Sequence, residues 1–332
     1  MDNNMIKVLN GVEKQKAEME KAADELFKNG IKNIFLVGCG GSYSYNMPWQ
    51  HYLDKATTLP HYLEIAAELM TKNHKMLGKG SVCIFNSKSG DTKEIVAAME
   101  YCQRKGAKTI AFVGTDNCPI KEYADYYFYF DVLEKYSTIA FFAGIATILN
   151  RILYKNGDFP KYEVFSKQLF SMAESLSNAK DKWADKCVDY GTRHAHDPWH
   201  LVIGAGASWG VAYCYAMCIM EEMQWIKTKS VHAAEFFHGT IELVEPGTSV
   251  ILFYSEDDTR PLMDRAYNFI SKITDQILIF DTKDFDMPFD NEFRGIVAPV
   301  YLSTITDTLS KTLEKERNHP LSIRRYYRQM EY

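Results

Sequence analysis

Residues 81–102, SVCIFNSKSGDTKEIVAAMEYC, carry the reading on which the fold turns. Residues 82–85 are a short apolar run, long enough for a buried strand. From Glu94 to Cys102 the apolar residues Ile95, Val96, Met99 and Cys102 recur at helical spacing on one face. Between them lies Asn86-Ser87-Lys88-Ser89-Gly90-Asp91-Thr92, a loop rich in hydroxyls with one glycine and one lysine. A helix start offers unpaired N–H groups and the positive end of the helix dipole, and both suit a phosphate. Gly90 lets the backbone approach an anion or take a positive φ. The plainer alternative is an N-cap, in which Asp91 or Ser89 closes the helix and the other hydroxyls face water. The loop matches neither G-x-x-x-x-G-K-[ST] nor G-x-G-x-x-G.

Outward from this stretch, strands alternate with helices. Residues 33–37 (NIFLV) read as a strand that enters the glycine-rich turn Gly38-Cys39-Gly40-Gly41-Ser42 and then a helix through Tyr52. Further strands are expected at 61–63, 108–113 and 126–130, with an amphipathic helix over 11–28, a helix over 65–72 and a long apolar helix over 137–154. This alternation implies a parallel sheet covered on both faces. Residues 159–193 read as one long helical connection, which sets domains at 1–158 and 159–332. The second half then repeats the first. The strand 200–203 runs into Gly204-Ala205-Gly206-Ala207-Ser208, matching Gly38–Ser42 half a chain length away. Residues 250–254 run into Ser255-Glu256-Asp257-Asp258-Thr259, the counterpart of the first hydroxyl loop. The fold class is therefore α/β, with two tandem domains, each a mostly parallel sheet flanked by helices in three α/β/α layers. The second loop has lost the glycine and lysine and gained three carboxylates, which repel a phosphate. One phosphate site is expected, in the first half.

Composition narrows the partners. The 332 residues are 46% hydrophobic and 24% charged, with room for about two domains. The net charge is −5 and no basic block occurs, so no nucleic acid partner is expected. The first residues lack an apolar signal core, and the longest apolar run, 139–149, is short for a bilayer, so no membrane partner is expected. Seven cysteines with no C-x-x-C pair fit a cytoplasmic protein with free thiols. His194-x-His196-x-x-x-His200 lacks a convincing ligand set, and Cys214 and Cys218 read as buried small hydrophobes, so no metal is expected.

Two segments could do chemistry. Residues 208–226 read as a helix with Glu221 and Glu222 inside an apolar run, and helical spacing lets only one of them face the interior. A carboxylate in apolar surroundings suits general acid/base work; the alternative puts both at the solvent edge. Then comes SVHAAEFFHG, residues 230–239, where His238 can shuttle a proton and Glu235 could orient it if the segment is helical. The ending, residues 317–328, is basic and aromatic; it either frays into solvent or folds back over an anionic site.

These motifs resemble the sugar isomerase (SIS) domain family. GCGGS and SKSGDT resemble its sugar-phosphate loops. EEMQWIKTKSVHAAEFFHG, residues 221–239, resembles the isomerase module of glucosamine-6-phosphate synthase, where a glutamate precedes a histidine by sixteen residues, as Glu222 precedes His238 here. The EMQW…EFFHG pattern and the HPLSIRRYY ending are similar to the fructosamine-6-phosphate deglycase branch. Thr240 departs from the family, where proline is commoner. The resemblance implies a cofactor-independent deglycase acting on a fructosamine 6-phosphate, with Glu222 and His238 catalytic. It implies substrate contacts from Gly41, Ser42, Ser87, Lys88, Ser89, Thr92, Ser137, Glu235 and Arg325. It also implies a homodimer whose active sites mix residues of two chains. No N-terminal cysteine nucleophile is present to release ammonia from glutamine, which argues against the full aminotransferase reaction. The competing readings are a phosphosugar isomerase, an ammonia-dependent aminotransferase, or a non-catalytic sugar-phosphate sensor. The amine carried by the sugar is left open.

Overall fold

Strand-length and helical apolar runs alternate through the computed structural model, which describes residues 2–133 and 135–331. The chain divides into two compact units, Met1–Glu174 and Ser175–Tyr332. In the first, β1 (Asn33–Gly38), β2 (His61–Ile65), β3 (Ser81–Ser87), β4 (Lys108–Val113) and β5 (Tyr126–Tyr129) form one sheet in the order β2-β1-β3-β4-β5. Every neighbouring pair is parallel. β1 and β3 are buried at every residue, the condition of central strands covered on both faces, and their sequences accordingly do not alternate. The helix Lys93–Arg104 lays Ile95, Ala98, Met99 and Cys102 into this core, with Val96 at its margin.

The helix Ser137–Asn156 is buried on most sides. A Cβ added at Gly144 would lie 2.9 Å from the rings of Phe112 and Phe130, so glycine there lets the helix sit directly on aromatic side chains. By length and composition this helix could cross a bilayer, but 78% of its apolar window is buried inside the protein, as in a core helix. The amphipathic N-terminal segment is two helices, Asn3–Glu13 and Lys16–Lys28, rather than one. Residues 13–18 offer nothing larger than alanine to bury, and the continuous apolar face stops there. Arg151 holds the second of these helices by a bidentate pair, with Nε and Nη2 donating to Asp24 at 2.7 and 2.9 Å.

The connection at 159–193 also differs from the single helix expected. It contains two helices, Tyr162–Phe170 and Ala173–His194. Tyr162 is fully buried and donates to Glu20 at 2.8 Å, which ties the first of them to the first unit. The division thus falls inside the helical stretch and not at 158.

In the second unit, β6 (His200–Gly204), β7 (Thr228–His232), β8 (Ser249–Tyr254) and β9 (Ile277–Asp281) form a parallel sheet in the order β7-β6-β8-β9. Strand for strand this is the β2-β1-β3-β4 order of the first unit. The matched glycine turns follow β1 and β6, and the matched loops follow β3 and β8, so the repeat seen in sequence is a repeat of topology.

Candidate active site

In the first unit the glycine turn and the hydroxyl loop leave the carboxyl ends of adjacent strands, paired at Val37 and Phe85. Such strand ends are where open α/β sheets take ligands. Gly38 is required by close approach, since a Cβ there would lie 2.4 Å from the Tyr43 amide nitrogen. Gly40 sits at φ +52 as the N-cap of the helix Gly41–Ala56, and Cβ atoms built on Gly40 and Gly41 would meet nothing within 4 Å. Ser42 Oγ donates to the Cys39 carbonyl and accepts from the Cys39 amide, both at 2.9 Å, so its proton closes the turn.

Ser87 acts similarly in the loop, accepting from the Gly90 amide at 3.0 Å. Gly90 takes φ +66, and a Cβ there would fall 2.2 Å from Cys118 Sγ. The N-cap of the following helix is Thr92, not Asp91 or Ser89, and its side chain makes no capping hydrogen bond. Lys88 is exposed; Ser89 and Thr92 are half-buried. Ser137 is the first residue of the core helix Ser137–Asn156 and is half-buried.

The second unit rebuilds the same turn. Ser208 Oγ donates to the Ala205 carbonyl at 2.9 Å and accepts from its amide at 3.1 Å, and Gly206 takes φ +51. Here, however, a carboxylate fills the space above the glycine. Asp257 accepts from the Ala207 amide at 2.9 Å, from the Thr259 amide at 2.8 Å and from the Ser255 hydroxyl. A Cβ on Gly206 would meet Thr259 Oγ1 at 2.5 Å and Asp257 Oδ1 at 2.9 Å. Glu256 is engaged bidentately by Arg294 at 2.9 and 2.8 Å. In the acidic loop Asp257 takes up the local donors itself.

Glu221 and Glu222 do part company, as helical spacing requires. The helix beginning at Trp209 passes through a π-helical stretch, Tyr215–Glu221, before Glu222–Gln224 and a left-handed end at Trp225, φ +56. Such widened turns concentrate at functional sites. Glu221 is exposed and accepts from Thr228 Oγ1. The Glu222 side chain keeps 31% exposure and accepts from Arg324 Nε at 2.7 Å.

The tail does not fray over residues 317–325. Gln224 Nε2 donates to the His319 carbonyl at 2.7 Å, and Arg317 Nη2 to the Gln224 carbonyl at 3.3 Å. The His319 and Trp225 rings lie 4.4 Å apart, and the Arg325 guanidinium sits 4.1 Å above Trp225. Arg324 is held in turn by the carbonyls of Leu321 and Ile323 at 2.7 and 2.9 Å. Sequence reasoning selected Arg325 and missed Arg324. The basic ending gave the signal, but two adjacent arginines diverge, and only coordinates tell which meets Glu222.

His238 closes a short 3₁₀ turn, Phe236–His238, anchored by fully buried Phe236. Its side chain and that of Glu235 are exposed, and the turn is joined by the His238 amide donating to the Glu235 carbonyl at 3.0 Å. The anticipated orientation of the imidazole by the Glu235 side chain is therefore absent among the described residues, because the segment is a single 3₁₀ turn and not an α-helix. Within the unit no hydrogen bond or ion pair joins Glu222 to His238 among the described residues; Glu222 is engaged by Arg324.

The histidine cluster at 194–200 is structural. His194 Nδ1 lies 2.7 Å from Asp197, and its Nε2 faces Arg193 Nη1 at 3.1 Å. A guanidinium can only donate, so Nε2 accepts and Nδ1 carries the proton. His200 is fully buried between the His194 carbonyl and Tyr190, and desolvation lowers its pKa to about 4.

Known proteins resemble this chain in sequence and fold. The SIS domain family model matches residues 29–152. The chain is 31% identical to the fructosamine deglycase FrlB of Bacillus subtilis, over 95% of this chain and 97% of that protein. It is 24% identical to the fructoselysine 6-phosphate deglycase of Escherichia coli, over 92% of this chain and 88% of that protein. A crystal structure of a candidate phosphosugar isomerase from Bacillus subtilis superposes with a TM-score of 0.87 at 29% identity, covering 100% of both chains. The C-terminal domain of glucosamine-fructose-6-phosphate aminotransferase from Francisella tularensis superposes with a TM-score of 0.77 at 15% identity, covering 93% of this chain and 94% of that one, and bears on the fold alone.

Proposed function

The chain belongs to the SIS domain family, and from that premise we propose that it is a deglycase that cleaves a fructosamine 6-phosphate with water to glucose 6-phosphate and a free amine. The observation that carries this reading is Glu222. It is a half-buried carboxylate at a widened helix end, held by Arg324 beneath a folded tail, in a chain that matches a fructosamine deglycase over nearly its full length.

In this reading the hydroxyl loop and glycine turn of the first unit take the phosphate. Ser42 and Ser87 shape the turns that aim backbone N–H groups, while Lys88, Ser89 and Thr92 supply side-chain contacts and Gly41 leaves room for close approach. Ser137 contributes a hydroxyl to the sugar. His238 takes the proton of the anomeric hydroxyl and returns it to the ring oxygen, which opens the ring and frees the C2 carbonyl. Glu222 removes a proton from C1, the electron pair moves into a C1–C2 double bond, and O2 takes a proton from water, which gives the enaminol. Return of the C1 proton from Glu222 to C2 gives a protonated imine between C1 and nitrogen. Water adds at C1 and passes one proton to nitrogen, and the C1–N bond breaks as the C1 carbonyl forms, so that the amine leaves with that proton and the carbonyl proton returns to water. The carbonyl of the substrate is the electron sink throughout. Exposed His238 serves the site of a second copy, so the working form is a homodimer.

The test is glucose 6-phosphate release from fructoselysine 6-phosphate, read by a coupled dehydrogenase. The native protein should turn over, and folded Glu222→Gln and His238→Ala should each lose at least about 100-fold in kcat. Mixing the two variants under subunit exchange should restore part of the activity. Near-native turnover by both variants would overturn the assignment.

A further inference from the structure

His238 is exposed at the end of a single 3₁₀ turn, so its direction depends on what holds that turn from outside. We propose that Arg265 is a positioning residue for His238, acting through the ring of Phe237, granted that His238 opens the sugar ring as in the deglycase reading. A bond from the His238 amide to the Glu235 carbonyl at 3.0 Å closes the turn, and Gly239 follows at φ +141, outside helical geometry. One such turn has little rigidity of its own. Its seat comes from two phenylalanines. Phe236 is fully buried in the core of the unit. Phe237, bonded directly to His238, is half-buried, so the seating of its ring fixes how the turn rolls about the Phe236 anchor.

The helix Arg260–Ile270 supplies that seat. Its residues 265 and 269 are four apart and share a face. Phe269 meets Phe237 edge to face at 5.9 Å and Phe236 at 6.1 Å, and the two phenylalanines of the turn meet at 5.0 Å. The Arg265 guanidinium lies 4.0 Å over the Phe237 ring. A cation is held on a ring face by the ring quadrupole, and a planar guanidinium also covers that face. The helix is firmly placed, with Met263, Ala266 and Ile270 buried and Arg260 paired with Asp281 of β9. Arg265 itself is exposed, beside Phe237 and Phe269 along one surface groove, so replacing it opens no hole in the core. An imidazole that moves a proton needs its nitrogen within hydrogen-bond reach of the sugar, and a loosened turn holds it there for less of the time.

The test compares Arg265→Ala and Arg265→Lys on fructoselysine 6-phosphate. Arg265→Ala should lower kcat by about threefold to tenfold with KM within about twofold of native, and Arg265→Lys, which keeps a cation near the ring, should fall between the two. A smaller loss in Arg265→Ala, a loss confined to KM, or a lysine variant as slow as the alanine one overturns the proposal. A second arm separates positioning from a general loss of structure. Arg265→Ala is added to one chain of the mixed pair Glu222→Gln and His238→Ala. Carried by the Glu222→Gln chain, which supplies the working His238, it should cut the restored activity by the same factor. Carried by the His238→Ala chain, it should leave the restored activity within about 1.5-fold. Equal losses in both arrangements overturn the proposal. If mixing restores nothing, sharing of sites between copies is refuted and the kcat comparison decides alone. Failure of the native protein to release glucose 6-phosphate refutes the deglycase reading and this role with it, whereas an active native protein with an indifferent Arg265→Ala refutes only this role.

Discussion

Replacing Arg324 with glutamine tests whether the tail holds Glu222 as an energetic partner. The pair joins Nε to Oε1 at 2.7 Å, with side chains 17% and 31% exposed. At an effective dielectric of about 20, opposite charges ~4 Å apart attract by about 4 kcal/mol. Desolvation and residual solvent screening leave a net coupling of about 1–2 kcal/mol. A double-mutant cycle of Glu222→Gln and Arg324→Gln, followed by urea denaturation at pH 7, should recover that coupling. A cycle that closes to within about 0.3 kcal/mol would refute it, because additive effects mean the two groups do not sense each other. The kinetics should agree. Arg324→Gln leaves the phosphate loop untouched but frees the carboxylate to rotate, so kcat should fall about 10–100-fold with little change in KM. A kcat within about twofold of native would show that the orientation of Glu222 does not depend on the tail.

Two further outcomes follow from the second unit. His200 is neutral in the fold, with its pKa lowered to about 4, whereas the unfolded chain binds a proton there below about pH 6.5. The penalty is small at pH 7 and grows as pH falls toward 4, and at pH 5 it removes about 2 kcal/mol of stability. His200→Gln should lessen the stability lost between pH 7 and pH 5 by that amount, and an unchanged loss in urea titrations would contradict it. Asp257→Ala should strand the Ala207 and Thr259 amides and the Ser255 hydroxyl, destabilising the protein by about 2–3 kcal/mol. Asp257→Asn, which keeps one acceptor oxygen, should recover part of this in thermal melts. A loss below about 0.5 kcal/mol in Asp257→Ala would contradict the assignment of those donors.

The parts of this molecule legible in the sequence are those written in periodicity and glycine. The apolar run, hydroxyl loop and helical face of residues 81–102 fold as read, and the two glycine turns close with the same serine bonds. Both depend on local spacing, which a chain displays directly. Contacts between distant residues are less legible. Three carboxylates in the second loop signal a changed charge, but not that Asp257 alone turns inward onto Ala207. The Ser42 hydroxyl reads as a ligand donor until its bond to the Cys39 carbonyl is seen. Tyr162 reads as part of a connection until its hydroxyl is found on Glu20. The pairing of Glu222 with Arg324 rather than Arg325 turns on a single backbone step in the tail.

The π-helical stretch at Tyr215–Glu221 has a consequence for how the chain tolerates change. It holds a residue in surplus over regular α geometry, and so works as a phase shifter, turning everything downstream by roughly 100°. Deleting a single amino acid from it would regularise the ladder and leave Glu222 facing as it does, because the surplus and the widened turn cancel. Tightening the stretch to regular α geometry at full length would present a different side chain to Arg324, and the carboxylate at 222 would swing away. The irregularity is thus a setting rather than a defect, and a full-length variant without the wide turn would keep its fold while losing its aim.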